Sequence, residues 1–546
     1  MSEPVKSIWT RHHALPPIVT VRILRKILFC AACLATFTAL FYAEEDLRGK
    51  HAWENCMRAA RAKGIELDWR AYIPGAVLDD ENFAATPLFA KLFDYEWTTT
   101  NVHWRDTNIW ASVDRLSFHP APAALHRSSG AILTPPSPIV NLGDWVHGRS
   151  LNLKQWQEYF RSPESFKTNY WPVPVQPRDP SHDVLFALNK LATNLAELQE
   201  AALRPQSRFP VHYDELSKAL LVHLNYLVNI SRVLQLRAVA ELSAESNQLA
   251  FADTMLAFHC ADALESEAFM VSQVVRCRMI EGDLQSVWEG LSAHRWSEKQ
   301  IVEFQRYFVR QDFLSRYDQA VKADIAFTCG CVAALSDDPS VLRMMDNWPN
   351  SNNTSFPGGG LEAALDAHLL PRGWLYQNEV SAARFLRETW SNDVASRIQR
   401  VYPDLSAANA GLFHRLPEGP YDFAFKHLGG SISPQEFVRT QTEINLALVA
   451  CALERFRMTH GDFPQSLDAL AQEFLERIPH DIVNGEPLKY RWTRSGSFTL
   501  YSVGWDEKDD GGIFPVSLPA TSGGFRSLYG YHPENGDFVW QYPEAK

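Results

Sequence analysis

The sequence predicts a mostly α-helical protein with one N-terminal membrane-spanning helix, an irregular array of helices, and a small α+β unit with an antiparallel sheet at the C-terminus. Residues 27–43 form an uncharged apolar run, and two strand-like runs separated by a glycine-containing turn lie close to the C-terminus. Between these two features, leucines recur at intervals of three and four residues, which is the spacing of one buried helix face. These leucines are Leu185, Leu188, Leu191, Leu195 and Leu198.

The apolar run at 27–43 is long enough to cross a bilayer as a helix. A spanning helix needs about 17 to 25 apolar residues, and this run has 17. Five basic residues and one acidic residue precede it, so the positive-inside rule places residues 1–26 in the cytoplasm and the rest across the membrane. A cleaved signal peptide is the alternative, but Phe41 stands where a cleavage site ending at Ala43 prefers a small residue. We therefore expect an uncleaved anchor in contact with the lipid bilayer.

Charge and cysteine content narrow the class of protein further. The chain has 52 Lys and Arg against 64 Asp and Glu, a net charge of −12. This balance argues against nucleic-acid binding, because phosphates require clustered positive charge. Outside the apolar run the six cysteines are scattered, and Cys329 and Cys331 have no second Cys or His pair nearby to complete a zinc site. We expect these cysteines to pack as small buried hydrophobic residues. A disulfide between two distant cysteines is the alternative.

Composition divides the chain beyond the anchor into three parts. Residues 44–180 are rich in tryptophan and proline, and we expect an irregular segment that packs on a helical body. Residues 181–428 carry helical periodicity without a fixed repeat, which predicts an irregular α-helical array rather than a solenoid. Within this array the predicted helices are 213–243, 247–264, 265–281 and one from Ser297 to Phe313, and a loop is predicted at 347–360.

Residues 429–546 carry the strongest local signals. Ser433 to Glu436 is typical of a capping box that starts a long helix, and Gly461 is placed to end that helix in the left-handed conformation. A short helix is predicted at 466–474. Strands are predicted at 488–492, 498–503 and 538–540, the first two joined as a hairpin by a glycine turn.

Several short motifs in this last part occur in the order and spacing of a known domain. They are Ala452-Leu453-Glu454-Arg455-Phe456, His460-Gly461-Asp462-Phe463-Pro464, Ile478-Pro479-His480-Asp481, Asn484-Gly485-Glu486-Pro487-Leu488-Lys489-Tyr490 and Leu500-Tyr501-Ser502-Val503-Gly504. With them, the C-terminal part resembles the globular domain of the major pseudopilin of the type II secretion system. The whole chain resembles membrane-anchored bacterial proteins of unknown function that carry this module at the C-terminus. That resemblance implies the inner membrane as the location of the anchor and the periplasm as the location of the bulk of the chain.

The resemblance also implies a calcium ion in the loop that follows the hairpin. Asp506, Asp509 and Asp510, with two glycines behind them, match the family's calcium loop in position and chemistry. The alternative is a solvated acidic loop that binds nothing, and Glu507 and Lys508 depart from the family pattern. Two further departures argue against polymerisation into a pseudopilus. A Gly-Phe-x-x-x-Glu processing site is missing before the apolar run, and ~390 residues separate that run from the module.

The sequence contains no catalytic motif in a supporting context. Nucleophile elbows, HExxH, phosphate-binding loops and dinucleotide glycine patterns are missing, although a triad assembled from distant residues would leave no such motif. We expect a non-enzymatic, membrane-tethered cell-envelope protein that scaffolds or binds other envelope or secretion proteins. The alternative is a periplasmic hydrolase or carbohydrate-binding protein whose cleft is lined by Trp97, Trp104, Trp110 and Trp145.

Overall fold

The protein is mostly helical, with small antiparallel sheets and one apolar N-terminal helix, as the sequence predicts. The computed structural model describes residues 17–97, 102–106, 108, 145–162, 171–213, 219–335, 370–390, 394–404, 434–493, 497–513 and 536–542. The predictions for residues 1–16, for the loop at 347–360, for Trp110 and for Ser433 lie outside these ranges.

The described helices and strands follow in chain order. The helices are α1 (Pro17–Arg61), α2 (Pro87–Ala90), α3 (Leu153–Arg161), α4 (Pro180–Leu188), α5 (Ala192–Ala201), α6 (Val222–Ser243), α7 (Asn247–Asp262), α8 (Met270–Ser292), α9 (Glu298–Val309), α10 (Phe313–Ala334), α11 (Arg372–Trp390) and α12 (Gln435–His460). The strands are β1 (Tyr95–Trp97), β2 (Val102–Trp104), β3 (Val394–Ala395), β4 (Arg400–Val401), β5 (Lys489–Thr493), β6 (Ser497–Ser502) and β7 (Phe538–Gln541).

Helix α1 is long enough and apolar enough to cross a membrane. It spans 45 residues, and its most apolar stretch has a mean hydropathy of 1.8 with none of that stretch buried. Phe37, for example, is 74% exposed. The hydroxyl of Thr36 donates to the carbonyl of Ala32 at 2.8 Å, so this polar group is satisfied within the helix. Beyond residue 43 the same helix continues without interruption to Arg61 and becomes part of the body, where Cys56 and Ala60 are buried.

The helical array is built around a hairpin of α6 and α7. The two helices pack along each other, and Glu245 makes the turn between them with φ of 60°. Helix α8 packs against both. Helix α9 starts at the predicted place, with Ser297 and Gln300 forming a capping box. The prediction of one helix through Phe313 is wrong, because the Asp312 side chain accepts from the Ser315 amide at 2.9 Å and starts a second helix, α10.

The C-terminal unit consists of α12 followed by the sheet β5-β6-β7. Gly461 ends α12 with φ of 88°, as predicted. The sheet is antiparallel throughout, with Tyr490 opposite Leu500 and Leu500 opposite Trp540, so the three predicted strands are confirmed. The predicted helix at 466–474 is only a 3-10 turn over Leu467–Leu470, because the chain turns extended at Ala471.

The helical array and the C-terminal unit share one hydrophobic core. Helix α12 packs against α8, α9 and α10, and its apolar residues belong to the same buried cluster as theirs. The Phe437 ring lies 5.2 Å from that of Tyr317, and Gln441 accepts from the first amide of α10 at Phe313. At the other end, Trp288 on α8 donates to the carbonyl of Gln541 on β7 at 2.9 Å. The last helix and the last strand are therefore central parts of the fold.

Candidate functional site

The acidic loop after β6 is closed largely by its own hydrogen bonds. Asp509 Oδ1 accepts from the Tyr501 hydroxyl at 3.1 Å and from the Gly511 amide at 3.0 Å. Asp506 Oδ1 accepts from the Lys508 amide at 3.3 Å, and the Lys508 ammonium lies 3.9 Å from Asp506 Oδ2. These two predicted calcium ligands therefore already have partners within the loop or beside it.

Asp537, which no sequence pattern marks, is the carboxylate that organises this loop. It precedes β7, is fully buried, and accepts from the Gly512 amide at 2.6 Å and from the Asp510 amide at 3.3 Å. Burial raises its pKa, the two amides oppose that effect, and the charges of Asp509 and Asp510 add to it. Its signal in the sequence is weak because 25 to 27 residues separate it from its partners.

The donor chemistry of this loop suits calcium, but the carboxylates do not converge. A hard cation needs about six to eight oxygen ligands around one point. In the described part of the chain, no group of three or more His, Cys, Asp or Glu side chains is placed to hold a metal ion. What favours a cation is the acidity itself, since Asp509 and Asp510 repel the buried Asp537 carboxylate. The calcium site at Asp506, Asp509 and Asp510 stays a prediction.

A groove of about 540 Å³ lies where the array meets the C-terminal unit. Its walls come from α7, α9, α12 and the turn around Phe474, and Val309 at its edge is 67% exposed. The lining combines apolar side chains with charges of both signs: Met255, Val302, Leu448, Phe474, Glu303, Arg306, Arg310 and Glu476. An apolar floor with a charged rim is the usual composition of a surface that binds another molecule.

A buried ionic network joins α8 to α12 nearby. Arg439 donates from Nε to Glu281 Oε1 at 3.0 Å and from Nη2 to Glu281 Oε2, and Thr440 donates to Oε1 at 3.0 Å. Burial alone would raise the pKa of Glu281, but the arginine charges outweigh it and lower the pKa. Burial and the Glu281 charge together raise the pKa of Glu443 well above its ordinary range. The network fixes the two helices in register, and its members Arg439 and Glu443 are buried.

Two acidic groups share one arginine in the α6–α7 hairpin. Asp253 is 0% exposed, and its Oδ2 lies 2.7 Å from Nε of Arg237, which also lies 3.2 Å from Glu241 Oε1. Burial raises the pKa of Asp253 to about 8, and the neighbouring Glu241 charge adds to this effect. The Arg237 charge opposes the rise, and with a pKa of about 8 we expect Asp253 to be protonated at pH 7. Its position, closed off inside a helix pair, suits packing and not catalysis.

One histidine has the arrangement of a carboxylate-oriented base. His294, with φ of 54° and a side chain 41% exposed, hydrogen-bonds through Nδ1 to Glu454 Oε1 at 2.9 Å. Burial would raise the pKa of Glu454, but His294 and Arg457 outweigh it and lower the pKa. Among the side chains described, His294 forms its hydrogen bond with Glu454 alone, and no hydroxyl or thiol is hydrogen-bonded to it. The pair links the α8–α9 turn to α12.

Of the four tryptophans of the predicted cleft, only Trp104 and Trp145 have side chains that the structure describes, and these two differ in burial. Trp145 is 3% exposed and donates through Nε1 to the carbonyl of Glu281 at 3.0 Å, so it is a packing anchor. Trp104 is half-buried and donates to the carbonyl of Leu92. Three further tryptophans of this part of the chain are buried as well: Trp69, Trp156 and Trp171.

The cysteines are free thiols. Five of the eight are buried, among them Cys329, whose Sγ donates to the carbonyl of Glu379 at 3.7 Å, and burial raises its pKa well above the ordinary value. A thiol held neutral in this way packs as a small apolar side chain.

In comparisons with known proteins, no protein-family model, no curated protein and no solved structure matches this chain.

Proposed function

We propose that this chain is a membrane-tethered cell-envelope protein that acts by binding other proteins. The observation that carries the proposal is the continuity of α1. Its first half is apolar and unburied, whereas its second half is locked into the body, where Cys56 and Ala60 are buried. An anchor that is rigidly part of the folded body holds that body at a fixed place on the membrane surface.

The proposed location is the inner membrane, with the bulk of the chain in the periplasm. The five basic residues before the apolar run and the acidic run directly after it, Glu44 to Asp46, support this orientation. Reporter fusions test it. Alkaline phosphatase fused after Lys546 should be active and green fluorescent protein at the same point should be dark, whereas the reverse pattern would place the body in the cytoplasm.

The groove at Val309 is the surface that we assign to a partner protein. Its exposed apolar edge and mixed charges suit a protein segment, and its position between α9 and α12 makes it sensitive to how the array and the C-terminal unit pack. Cross-linking and pull-down from detergent-solubilised membranes should recover a reproducible partner. Val309→Asp should lose that partner, and Leu203→Asp, at a site 84% exposed elsewhere on the body, should retain it. Loss in both variants, or no partner for the intact chain, would contradict the assignment.

We propose in addition that the C-terminal unit is a pseudopilin-like module reused outside a pilus. A long helix that ends at a glycine and is followed by a three-stranded antiparallel sheet supports this reading. In this proposal calcium, bound near Asp509 and Asp510, would neutralise the charge that now surrounds Asp537. Calorimetric titration with calcium tests the second part independently of the partner experiment.

A further inference from the structure

The first turn of α11 lies against the anchor at the level where the apolar run ends. The ring of Trp374 meets the ring of Phe41 edge to face, with centroids 6.4 Å apart and planes at 90°. Phe41 is two residues before the end of the apolar run, which is about 3 Å along a helix. Trp374 therefore lies at the depth of the last turn of the membrane-spanning segment.

The two ends of the Trp374 side chain have different surroundings, one apolar and one polar. While its ring contacts Phe41, its Nε1 donates to Glu45 Oε2 at 3.1 Å, on the polar side of the boundary. Arg48 donates to the same carboxylate at 2.7 and 2.6 Å. An apolar ring with a satisfied N–H at one edge is the form in which tryptophan accumulates at membrane–water interfaces.

The backbone contacts beside this ring hold α11 to α1. The Gly373 amide donates to Asp46 Oδ1 at 2.8 Å, and a Cβ on Gly373 would lie 1.9 Å from the Glu45 carbonyl oxygen. Further along, Cys56 of α1 lies within the electrostatic reach of Arg384 of α11, so the two helices run in the same direction. The N-terminal end of α11 therefore faces the membrane.

We propose that residues 372–374 form a second membrane contact, seated in the headgroup region of the bilayer that α1 crosses. The inference rests on the proposed membrane anchoring and goes beyond it, because it assigns a lipid-binding surface to the folded body. Trp374 supplies the interfacial ring, and the exposed Arg372 beside it supplies a guanidinium for lipid phosphates. Two contact points, one spanning and one interfacial, would fix the tilt and height of the body over the membrane.

Site-specific photo-cross-linking tests this contact in the full chain. The photoreactive residue p-benzoyl-phenylalanine replaces Arg372, Trp374, Leu34 or Val309, one at a time, in nanodiscs of phosphatidylethanolamine and phosphatidylglycerol. Leu34 lies in the apolar run and is 69% exposed, which makes it the positive control, and Val309 is 67% exposed on the body, which makes it the matched negative control. Arg372 is exposed and Trp374 is half-buried, so we expect replacement of Arg372 to disturb the packing of α11 less than replacement of Trp374.

The expected result is a phospholipid adduct, identified by mass spectrometry, at Leu34, Arg372 and Trp374 and none at Val309. An adduct at Leu34 without one at Arg372 or Trp374 would overturn the second contact and leave the anchor standing. No adduct at any position would overturn the anchoring itself. An adduct at Val309 equal to that at Arg372 would mean unspecific contact with lipid and would also overturn the inference.

Discussion

The close approach of α1 and α11 leaves no room for a side chain at Gly373, so Gly373→Ala should destabilise this contact. A Cβ at this position would lie 1.9 Å from the carbonyl oxygen of Glu45, 2.3 Å from its carbonyl carbon and 2.8 Å from the amide nitrogen of Asp46. All three atoms belong to a helix backbone and cannot rotate away. The two helices must therefore separate.

The size of the effect follows from these distances. To reach an ordinary contact of 3.4 Å, the Glu45 oxygen and the new methyl group must move about 1.5 Å apart. Such a shift breaks the 2.8 Å hydrogen bond from Gly373 to Asp46. Overpacking costs about 1–3 kcal/mol, and a hydrogen bond to a charged acceptor contributes about 1.5–3 kcal/mol. We expect the junction to lose roughly 3–5 kcal/mol.

Hydrogen–deuterium exchange of the full chain in nanodiscs measures this loss locally. At 1.4 kcal/mol for each factor of ten, 3 kcal/mol corresponds to exchange faster by roughly 100-fold in the facing parts of α1 and α11. Gly75→Ala is the matched control, since nothing lies within 4 Å of a Cβ there. Unchanged protection in Gly373→Ala, or equal loss in both variants, would contradict a close contact between α1 and α11 at Gly373.

Three further substitutions probe the interior and the acidic loop. Asp253→Asn should flatten the pH dependence of the melting temperature between about pH 4 and 8. The raised pKa makes unfolding release a proton in that window, so the wild type loses up to roughly 1.4 kcal/mol per pH unit as pH rises, and the asparagine does not. Asp509→Ala should abolish the heat of calcium binding in calorimetry, because it removes a carboxylate beside buried Asp537. Trp540→Ala should lower the melting temperature by several degrees, because truncating a fully buried tryptophan costs about 3–5 kcal/mol.

Each of these changes has a control at an exposed position. Asp318→Asn, at a side chain 44% exposed, should keep the wild-type pH slope. An unchanged slope in Asp253→Asn would contradict the raised pKa of Asp253. Glu473→Ala should leave calcium binding as it is, whereas no heat from the intact chain would mean that the loop binds no calcium. Ile513→Ala, at a side chain 66% exposed, should have the melting temperature of the wild type. A wild-type melting temperature for Trp540→Ala would contradict a core shared by the array and the C-terminal unit.

The features that sequence alone predicted well are those with short-range causes. Ser297 starts a helix and Gly461 ends one, because capping depends on a few adjacent residues. The hairpin of β5 and β6 follows from two alternating runs and the turn between them. The sequence does not reveal the break between α9 and α10, because buried apolar residues, Phe308 and Phe313, lie on both sides of it and the helical periodicity masks the Asp312 cap.

The features that could not be predicted depend on partners far away in the chain. Asp537 matters through amides about 25 residues earlier, and the close approach at Gly373 depends on residues more than 320 positions before it. No local feature of the sequence predicts the raised pKa of Asp253, because its burial is set by the packing of two helices. Asp506 and Asp509 lie in the predicted loop after β6. Their hydrogen bonds with Tyr501 and with backbone amides form only in the folded loop and cannot be predicted from the sequence.

The central place of α12 has a consequence for how the chain folds during synthesis. About four-fifths of the chain precedes Gln435, yet α8, α9 and α10 bury their apolar faces against the helix that starts there. The first amide of α10, at Phe313, also has its hydrogen-bond acceptor on this late helix, at Gln441. We expect the emerging helices to stay incompletely folded until this late segment arrives. In the proposed topology, with the body across the membrane, such a chain would pass through a translocation channel unfolded and would need a holding chaperone in the periplasm.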